Sequence, residues 1–553
     1  MLELIAILLF IPHTMVLEIN TAIYTFIFLL LVIFYRKLLS SKSQTGLPCL
    51  PPSPRGLPIV GHLHLLNNTP HPSFHNLCTR YGPLIHLRLG SVLCIIASTP
   101  ELAKELLITN GLTFASRPMN IVINLLTYNS SGFSFAPYGP YWKFLKKIVT
   151  SELLGERTLG QLQHIRYNET SQLVHLLVDR AHSGKIVNLS QEVMKLSNNI
   201  ISQMMLNIRC SGEDEKAREI RSLVREATEL VAQFNFSDFI WFLQNLDLQG
   251  IKKKAKTMNH RFDFLLEKII TEREVDRNKQ KEKRGNEGLG KQKMTDFLSI
   301  LLDISDDENS SIRLTRENIK AFLFDFLSAG TDTSGIVVEW AMSELINHPC
   351  ILEKARKEID SIVGQNRLVN ETDIPNLSYI QAIFKETVRL HPPIPIFERE
   401  STQDCKIGGY LIPAKTILFI SNWSICRDPN NWKDPLEFQP ERFMSDSETD
   451  DNAGIVDVRG QHFNLLPFGS GRRGCPGVSL AVQVVPTVLA LLIQCFHWKI
   501  AGYGDEMTGK LVDMTERPGL TVPKAQPLML VPSTRLRPFP NYADCGLIRV
   551  ARE

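Results

Sequence analysis

A glycine-rich loop around Cys475 holds the residue type best suited to chemistry. The loop reads Phe-Gly-Ser-Gly-Arg-Arg-Gly-Cys-Pro-Gly from Phe468 to Gly477. Its glycines allow the backbone to turn with positive φ and to approach a flat object closely, while Pro476 stiffens the exit. An apolar helix is predicted from Leu480 to Cys495, so backbone N–H groups and the helix N-terminus would stabilise a thiolate at Cys475. The loop therefore predicts a reactive or metal-ligating sulfur.

Three interpretations of this cysteine differ in what else they require. It could be a buried structural thiol in a glycine-rich turn. A zinc site needs further Cys or His side chains nearby, and none lies within five residues of Cys475. A haem iron needs only one axial ligand from the protein. The full pattern Phe-x-x-Gly-x-Arg-x-Cys-x-Gly, with Arg473 placed to meet a propionate, favours haem.

This pattern resembles the cysteine loop of the cytochrome P-450 superfamily, and motifs similar to that family's follow in order from Pro51 to Pro523. The resemblance implies haem b as the cofactor, with Cys475 as the axial ligand of its iron. Contacts to the haem then come from Phe468, Arg473 and Gly477. The resemblance also implies a monooxygenase of mainly α structure with a small β part, and electrons from a membrane flavoprotein reductase that uses NADPH.

A second motif interrupts a long predicted helix. Thr315 is suited to cap a helix that runs to Asn347, about 48 Å at about 1.5 Å per residue. In its middle the apolar pattern stops at Ala-Gly-Thr-Asp-Thr-Ser-Gly, from Ala329 to Gly335. Small and hydroxylated residues weaken the hydrogen bonds of a buried helix, which predicts a locally widened turn and a groove for a diatomic ligand. A simple kink with a surface aspartate is the alternative.

The same segment is similar to the oxygen-activating segment of the cytochrome P-450 superfamily. That resemblance implies that Thr333 places its hydroxyl near bound dioxygen and that Asp332 supplies protons. Both are therefore candidate catalytic residues, because cleavage of an O–O bond needs protons and a hydroxyl with a carboxylate can relay them.

A charged pair with a distant partner also fits a family pattern. Glu386 and Arg389 are three residues apart on a predicted helix, so their side chains can meet. Together with Arg442 they resemble the buried network that supports the haem side of the fold. That role is structural, and we do not count the three among the catalytic candidates.

The family's propionate-binding residues have counterparts here. Trp142 and Lys146 share one helical stripe, and lysine replaces the usual arginine, which gives a point charge instead of a planar fork. Arg399 matches another propionate-facing arginine. Lys143 and Lys147 lie on the adjacent stripe and allow two interpretations, docking of an acidic reductase or ordinary solvation.

The elements that position these motifs are predicted to be mostly helical. Apolar residues recur at helical spacing over 352–363, and Gly364 supplies a stop. Charged residues fill 276–293 and small acidic residues fill 445–454, which predicts a solvated loop at each. Strand-like runs are few and short: Leu84–Leu89, Val92–Ala97 and Thr416–Ile420.

The N-terminal segment is apolar from Met15 to Tyr35, long enough to span a bilayer. Positive charges follow it and none precedes it, which favours a single-pass anchor over a cleaved signal peptide and places the downstream chain in the cytosol. A proline-rich stretch from Leu47 to Gly61 predicts a stiff spacer, either a plain linker or a hinge. We therefore expect four parts: an anchor at 1–37, a hinge at 38–61, a catalytic domain at 62–540 and a tail without an assigned role at 541–553. The resemblance to the cytochrome P-450 superfamily implies that the anchor lies in the endoplasmic reticulum membrane.

Composition excludes several function classes. The 553 residues include 61 Lys and Arg against 58 Asp and Glu, a formal net charge of +3, which excludes a nucleic-acid binder that works by bulk charge. Ten cysteines in so long a chain are too few for a secreted disulfide scaffold.

Finer stretches, among them Phe135–Trp142 and Val512–Gly519, resemble a plant branch of the family that contains flavone synthases, isoflavone synthases, pterocarpan hydroxylases and β-amyrin oxidases. The resemblance implies oxidation of an apolar flavonoid or isoflavonoid skeleton, in a pocket with walls from 119–135, 322–329 and 393–397. A triterpene hydroxylase and a non-catalytic haem-binding membrane protein are the alternatives. The proton-relay pair argues against a carrier, which needs no such relay.

Overall fold

Helices form most of the protein, and the strands are short. The computed structural model describes residues 21–33, 50–211, 215–286, 296–444, 456–502 and 511–540. The α-helices are α1 (Thr21–Ile33), α2 (Pro70–Tyr81), α3 (Pro100–Lys104), α4 (Ile121–Leu126), α5 (Pro140–Lys147), α6 (Glu156–Gln161), α7 (Gln163–His182), α8 (Leu189–Leu206), α9 (Glu215–Val231), α10 (Phe236–Phe239), α11 (Ile251–Asn286), α12 (Phe297–Asp306), α13 (Arg316–Asn347), α14 (Pro349–Ile362), α15 (Ser378–Leu390), α16 (Asn422–Ile425) and α17 (Val478–Cys495). The strands are β1 (Leu84–Leu89), β2 (Val92–Ala97), β3 (Val187–Asn188), β4 (Ile396–Glu400), β5 (Cys405–Ile407), β6 (Tyr410–Ile412), β7 (Ile417–Ser421), β8 (Phe496–Ile500) and β9 (Met529–Thr534). The predicted mainly α fold with a small β part is confirmed.

Helix α13 lies at the centre of the fold. Thr315 caps it as predicted, because the Thr315 hydroxyl accepts a hydrogen bond from the Asn318 N–H while the Asn318 side chain accepts one from the Thr315 N–H. Helices α8 and α17 pack against it. Both α13 and α17 are long and apolar enough to cross a membrane, but 61% and 67% of their apolar stretches are buried inside the protein, as in core helices.

The small residues in the middle of α13 allow close packing and do not widen the helix. A Cβ atom at Gly330 would lie 2.7 Å from the Ile201 side chain, and one at Gly335 would lie 2.7 Å from the Met194 sulfur, both on α8. The Ser197 hydroxyl of α8 donates to the Gly330 carbonyl over 2.9 Å. Helix α13 is α-helical throughout, so the predicted widened turn is wrong. Glycine is required here because two helices approach each other closely.

The largest sheet has four strands in the order β1-β2-β7-β4. Strand β2 pairs with β1 in antiparallel and with β7 in parallel orientation, and β4 is antiparallel to β7. The predicted strands β1 and β2 are confirmed, and the third begins one residue later than predicted, at Ile417. Strands β3, β9 and β8 form a second sheet, and β5 and β6 form a hairpin. Arg399 lies within β4, opposite Leu418 of β7.

The proline-rich stretch is bonded to the large sheet. The His86 N–H in β1 donates to the Pro52 carbonyl over 2.9 Å, and the His86 ring nitrogen Nδ1 lies 2.6 Å from the Pro51 carbonyl oxygen. Leu57 and Gly61 pair with each other as an isolated bridge. The plain-linker interpretation is therefore wrong for the part of this stretch that the structure describes, from residue 50 onward.

The predicted loops at 276–293 and 445–454, the predicted anchor and the predicted tail can be compared with the structure only in part. Helix α11 continues to Asn286, so the predicted loop at 276–293 is wrong over its first part. Its charged residues are good helix formers, and Arg277 forms ion pairs with Asp303 and Asp306 near the end of α12. Every residue of α1 is exposed. The ends of the predicted anchor, the stretch 445–454 and the tail at 541–553 lie outside the described residues.

A buried ion cluster fixes α15 to the chain that follows α16. Glu386 and Arg389 have fully buried side chains, and the guanidinium donates two hydrogen bonds to the carboxylate, of 2.6 and 2.8 Å. Arg442 Nε lies 3.3 Å from the same carboxylate, which also accepts the Gln439 N–H over 2.8 Å. Arg389 donates further to the Cys426 carbonyl over 2.7 Å. The predicted grouping of the three charged residues is confirmed.

We expect Glu386→Gln to lower the free energy of unfolding by about 3–5 kcal/mol, because it leaves the Arg389 charge buried without its counter-charge. Glu353→Gln is the matched control, since Glu353 also pairs with an arginine three residues away, Arg356, but has a side chain 55% exposed. The control should lose less than about 1 kcal/mol. Urea denaturation of both variants measures the difference, and equal losses would contradict this account of the cluster.

Candidate functional site

The cysteine loop is shaped by two of its four glycines. Gly469 and Gly471 have φ of 65° and 70°, and a Cβ atom at Gly471 would lie 2.5 Å from the Leu107 carbonyl oxygen. Gly474 and Gly477 have negative φ, so the prediction of positive φ is wrong for these two. The Cys475 N–H donates to the Phe468 carbonyl over 2.9 Å and closes the loop.

Cys475 keeps exposed surface in the structure. Protein nevertheless surrounds its thiol closely enough that burial raises the pKa of Cys475. The Gly477 N–H, which donates toward the sulfur, and the positive charges of Arg117 and Lys146 oppose the increase in pKa. The loop thus offers a sulfur that can be deprotonated when a cation binds to it.

Arg473 connects the cysteine loop to the chain on both sides of α4. Its Nε donates to the Ala115 carbonyl over 2.7 Å, and its Nη1 and Nη2 donate to the carbonyls of Phe133 and Ala136. The Arg473 guanidinium carbon lies 4.5 Å from the centre of the Trp142 ring. Desolvation by burial lowers the Arg473 pKa to about 9.

The other predicted propionate-binding residues surround Arg473. Trp142 Nε1 donates to the Phe133 carbonyl over 3.2 Å, the same carbonyl that Arg473 uses. Lys146 Nζ lies 5.9 Å from the Phe133 ring and 6.0 Å from the Trp142 ring, and burial lowers its pKa. Arg399 Nη2 donates to the Arg473 carbonyl over 3.4 Å, and burial lowers the Arg399 pKa strongly. The structure therefore brings these four side chains together beside the cysteine loop.

The sequence analysis missed a further cation, Arg117. Its Nε is buried without a hydrogen-bond partner in the described part of the chain, and its guanidinium carbon lies 5.5 Å from the centre of the Phe135 ring. Its charge acts on Asp325, Glu398 and Cys475. An arginine in the otherwise uncharged run Phe-Ala-Ser-Arg-Pro, just before the predicted pocket wall, was the available signal.

The buried charges beside the thiol are unbalanced. Four cations and two carboxylates act on one another here: Arg117, Lys146, Arg399 and Arg473, with Asp325 and Glu398. Burial disfavours the charged form of each of these six groups. A ligand with two carboxylates would balance them, as the two propionates of a haem do. The buried Arg117 Nε, which has no hydrogen-bond partner in the described residues, and the exposed Cys475 fit the same ligand.

Asp325 of α13 holds the chain segment whose carbonyls Arg473 uses. The Ser134 N–H donates to Asp325 Oδ2 over 2.8 Å. A Cβ atom at Gly132 would collide with the same carboxylate oxygen, so glycine is required there. Burial raises the Asp325 pKa to about 6, against the hydrogen bonds from Ser134 and the charge of Arg117.

The predicted catalytic pair lies on α13. The Thr333 hydroxyl donates to the Ala329 carbonyl over 3.1 Å. Burial raises the pKa of the Asp332 carboxyl, and the charge of Arg517 opposes that increase. Thr333 thus presents a hydroxyl held by its own helix, beside a carboxyl that keeps a proton more readily than an exposed aspartate.

Comparisons with known proteins show which family the chain is similar to. The family model for cytochrome P-450 matches residues 51–524. A 3,9-dihydroxypterocarpan 6A-monooxygenase of Glycine max is 50% identical over 89% of this chain and 94% of that protein. A 2-hydroxyisoflavanone synthase of Glycyrrhiza echinata is 42% identical over 94% and 98%, and a β-amyrin 24-hydroxylase of Glycine max is 40% identical over 93% and 98%. A zebrafish cytochrome P-450 solved with progesterone has a TM-score of 0.69 and 25% identity, over 84% of this chain and 100% of that chain.

Asp325 should make stability depend on pH in a defined direction. Its folded-state pKa of about 6 lies above the ordinary value of 3.8, so its contribution is fully present below about pH 4 and is lost as the pH rises through about 6. The difference in unfolding free energy between the unmodified protein and Asp325→Asn should therefore fall across this interval.

Asp360→Asn is the control for the pH series. Hydrogen bonds from Arg535 lower the pKa of Asp360, so its carboxylate is ionised in folded and unfolded protein above about pH 4. Its difference curve should stay flat where that of Asp325 falls. Denaturation at several pH values measures both, and a flat Asp325 curve would show that this carboxyl titrates normally.

Proposed function

The chain belongs to the cytochrome P-450 family, and we propose that it oxidises the skeleton of a flavonoid or isoflavonoid of the flavanone or pterocarpan type. Family membership makes it a monooxygenase that binds haem through a thiolate and receives electrons from NADPH through a reductase. The observation that carries the substrate class is the 50% identity, over 89% of the chain, to a pterocarpan monooxygenase.

Five side chains would hold the haem. Cys475 gives its thiolate to the iron, and the positive charges of Arg117, Lys146, Arg399 and Arg473 meet the propionates. Phe468, Trp142 and Gly477 complete the contacts, since Phe468 closes the cysteine loop and Gly477 donates its N–H toward the sulfur. When bound, the haem supplies the activation of dioxygen that lets a C–H bond of the substrate be oxidised.

Asp332 and Thr333 would deliver protons from α13. The raised pKa of Asp332 lets its carboxyl hold a proton, and the Thr333 hydroxyl can pass one on while it keeps its hydrogen bond to Ala329. The positive charge of Arg517 opposes this increase in the Asp332 pKa and so favours release of the proton.

The pocket would take a flat apolar substrate. Two of the three predicted wall segments are mainly apolar, and within them Leu125 of α4 and Phe326 and Ala329 of α13 keep accessible surface. The third, 393–397, is fixed to the C-terminal segment, because the Val522 N–H donates to the Pro393 carbonyl over 3.0 Å. Apolar walls suit ring systems whose affinity comes from buried surface.

A triterpene is the second candidate substrate. It is favoured by the 40% identity, over 93% of the chain, to a β-amyrin 24-hydroxylase. We rank it below the flavonoid class because the pterocarpan monooxygenase is more similar.

We also propose a place in the cell and a division of the chain. Residues 1–37 would anchor the protein in the endoplasmic reticulum membrane, 38–61 would orient the body, 62–540 would form the catalytic domain in the cytosol, and 541–553 would be a tail. The exposed apolar side chains of α1, such as Tyr24 and Phe28, support an anchor. The exposed Lys143 and Lys147 of α5 suit an acidic reductase surface.

Turnover decides the substrate class. The full chain in membranes, with a plant reductase and NADPH, should oxidise a flavanone or a pterocarpan and leave β-amyrin unchanged, as product analysis by mass spectrometry will show. Cys475→Ser should abolish turnover and the carbon monoxide difference spectrum of a thiolate-ligated haem, whereas Cys350→Ser, which changes an exposed cysteine, should alter neither. Oxidation of β-amyrin alone would replace the proposal with its alternative.

Thr333→Ala should keep haem and substrate binding but lower the yield of product per NADPH by about tenfold, because the proton relay loses its hydroxyl. Thr331→Ala is the control: the Thr331 hydroxyl is buried and bonded to the Leu327 carbonyl on the same helix. It should leave the yield unchanged. The reducing equivalents that do not reach the product are measured as hydrogen peroxide. An unchanged yield of product per NADPH in Thr333→Ala would contradict the proposed proton relay.

A further inference from the structure

A strained turn lies in the chain that follows α4. Tyr128, Asn129 and Ser130 have φ of 51°, 55° and 63°, three consecutive residues other than glycine in the left-handed region. L-amino acids adopt this region at a steric cost, and single residues are its usual occupants. The Ser130 N–H donates to the Thr127 hydroxyl over 3.1 Å, and the Ser131 hydroxyl donates to the Tyr128 carbonyl over 2.5 Å. Local hydrogen bonds shape this turn, but contacts from outside must keep it in place.

One side chain of the turn reaches a different layer of the fold. The Tyr128 hydroxyl donates to Asp263 Oδ1 of α11 over 2.9 Å. Lys320 of α13 donates to the same oxygen over 2.6 Å and to Glu267 over 2.8 Å. The Lys320 side chain is only 7% exposed. Asp263 of α11 is therefore held by Lys320 of α13 as well as by Tyr128. Burial and the negative charge of Asp263 both raise the pKa of Tyr128, which keeps the phenol a donor.

We propose that Tyr128 is a positioning residue that sets the shape and the opening rate of the substrate pocket. Its hydrogen bond to Asp263, the Tyr128 tether, holds the strained turn and α4 against α11. The inference rests on the proposed function in one respect, that residues 119–135 form a pocket wall. Tyr128 touches neither the cysteine loop nor the proton relay, and it acts by holding the wall in the strained conformation.

The chain contains a matched site for comparison. Tyr379 of α15 donates to Glu441 over 2.8 Å, and Lys354 donates to the same carboxylate oxygen over 2.6 Å. This second group has the same three chemical types, tyrosine, carboxylate and lysine, but Tyr379 has negative φ within a regular helix and lies outside the predicted walls. Tyr379→Phe therefore removes an equivalent hydrogen bond without a strained turn to release.

Hydrogen–deuterium exchange of the full haem-loaded chain tests the tether. Tyr128→Phe keeps the ring and removes the donor, so amide exchange across 121–131 should rise by about fivefold, while exchange across β1 and β2 stays unchanged. Asp263→Ala should produce the same local increase. The double variant should exceed Asp263→Ala by no more than about twofold, because Asp263→Ala already removes the bond that Tyr128→Phe breaks, together with the bond from Lys320. Tyr379→Phe should leave 121–131 unchanged.

Substrate binding provides the second measurement. Tyr128→Phe should raise the dissociation rate of a flavanone, followed through the visible absorption of the haem, by about fivefold. Unchanged exchange across 121–131 in both Tyr128→Phe and Asp263→Ala would overturn the proposal. So would an equal increase in Tyr379→Phe. The exchange result decides the tether whether or not a flavanone is a substrate, so that failure of the tether and failure of the proposed function are separate observations.

Discussion

An excess of buried positive charge beside Cys475 is the constraint on which the rest of the structure depends. Buried cations are costly unless hydrogen bonds and counter-charges surround them. Arg473 meets this requirement largely through backbone carbonyls, whereas Arg117 keeps a buried Nε without a partner in the described residues. The site is therefore complete only with an anionic ligand, and the fold must hold the cations in place before that ligand arrives.

The segment from Gly132 to Ala136 joins the two halves of the site. One of its backbone N–H groups binds a carboxylate, because the Ser134 N–H donates to Asp325 of α13. Two of its backbone carbonyls bind a cation, because those of Phe133 and Ala136 accept hydrogen bonds from Arg473. One short segment thus satisfies buried charges of both signs. The segment therefore links Asp325 of α13 to Arg473 of the cysteine loop through hydrogen bonds.

How much of this could be predicted from the sequence depended on the range of the interaction. Short-range patterns were sufficient for the cap at Thr315, the pairing of Glu386 with Arg389 and the strands β1 and β2, because each depends on neighbours in the chain. The glycines of α13 were misinterpreted, since their reason is the approach of α8, which no local pattern contains. Arg117 was missed for the same reason. Its importance comes from carboxylates brought close by two other elements.

The two sides of the site are held by different kinds of contact. On the cysteine side, Arg473 binds mainly to backbone carbonyls, which persist whatever side chains those residues carry. On the pocket side, the wall is held to α11 by the side chains of Tyr128 and Asp263. Substitutions at Tyr128 or Asp263 can therefore change the predicted wall while the hydrogen bonds of Arg473 to backbone carbonyls stay in place. Relatives named for a pterocarpan and for β-amyrin are 50% and 40% identical to this chain over most of its length, and one fold can host different substrates through different site residues.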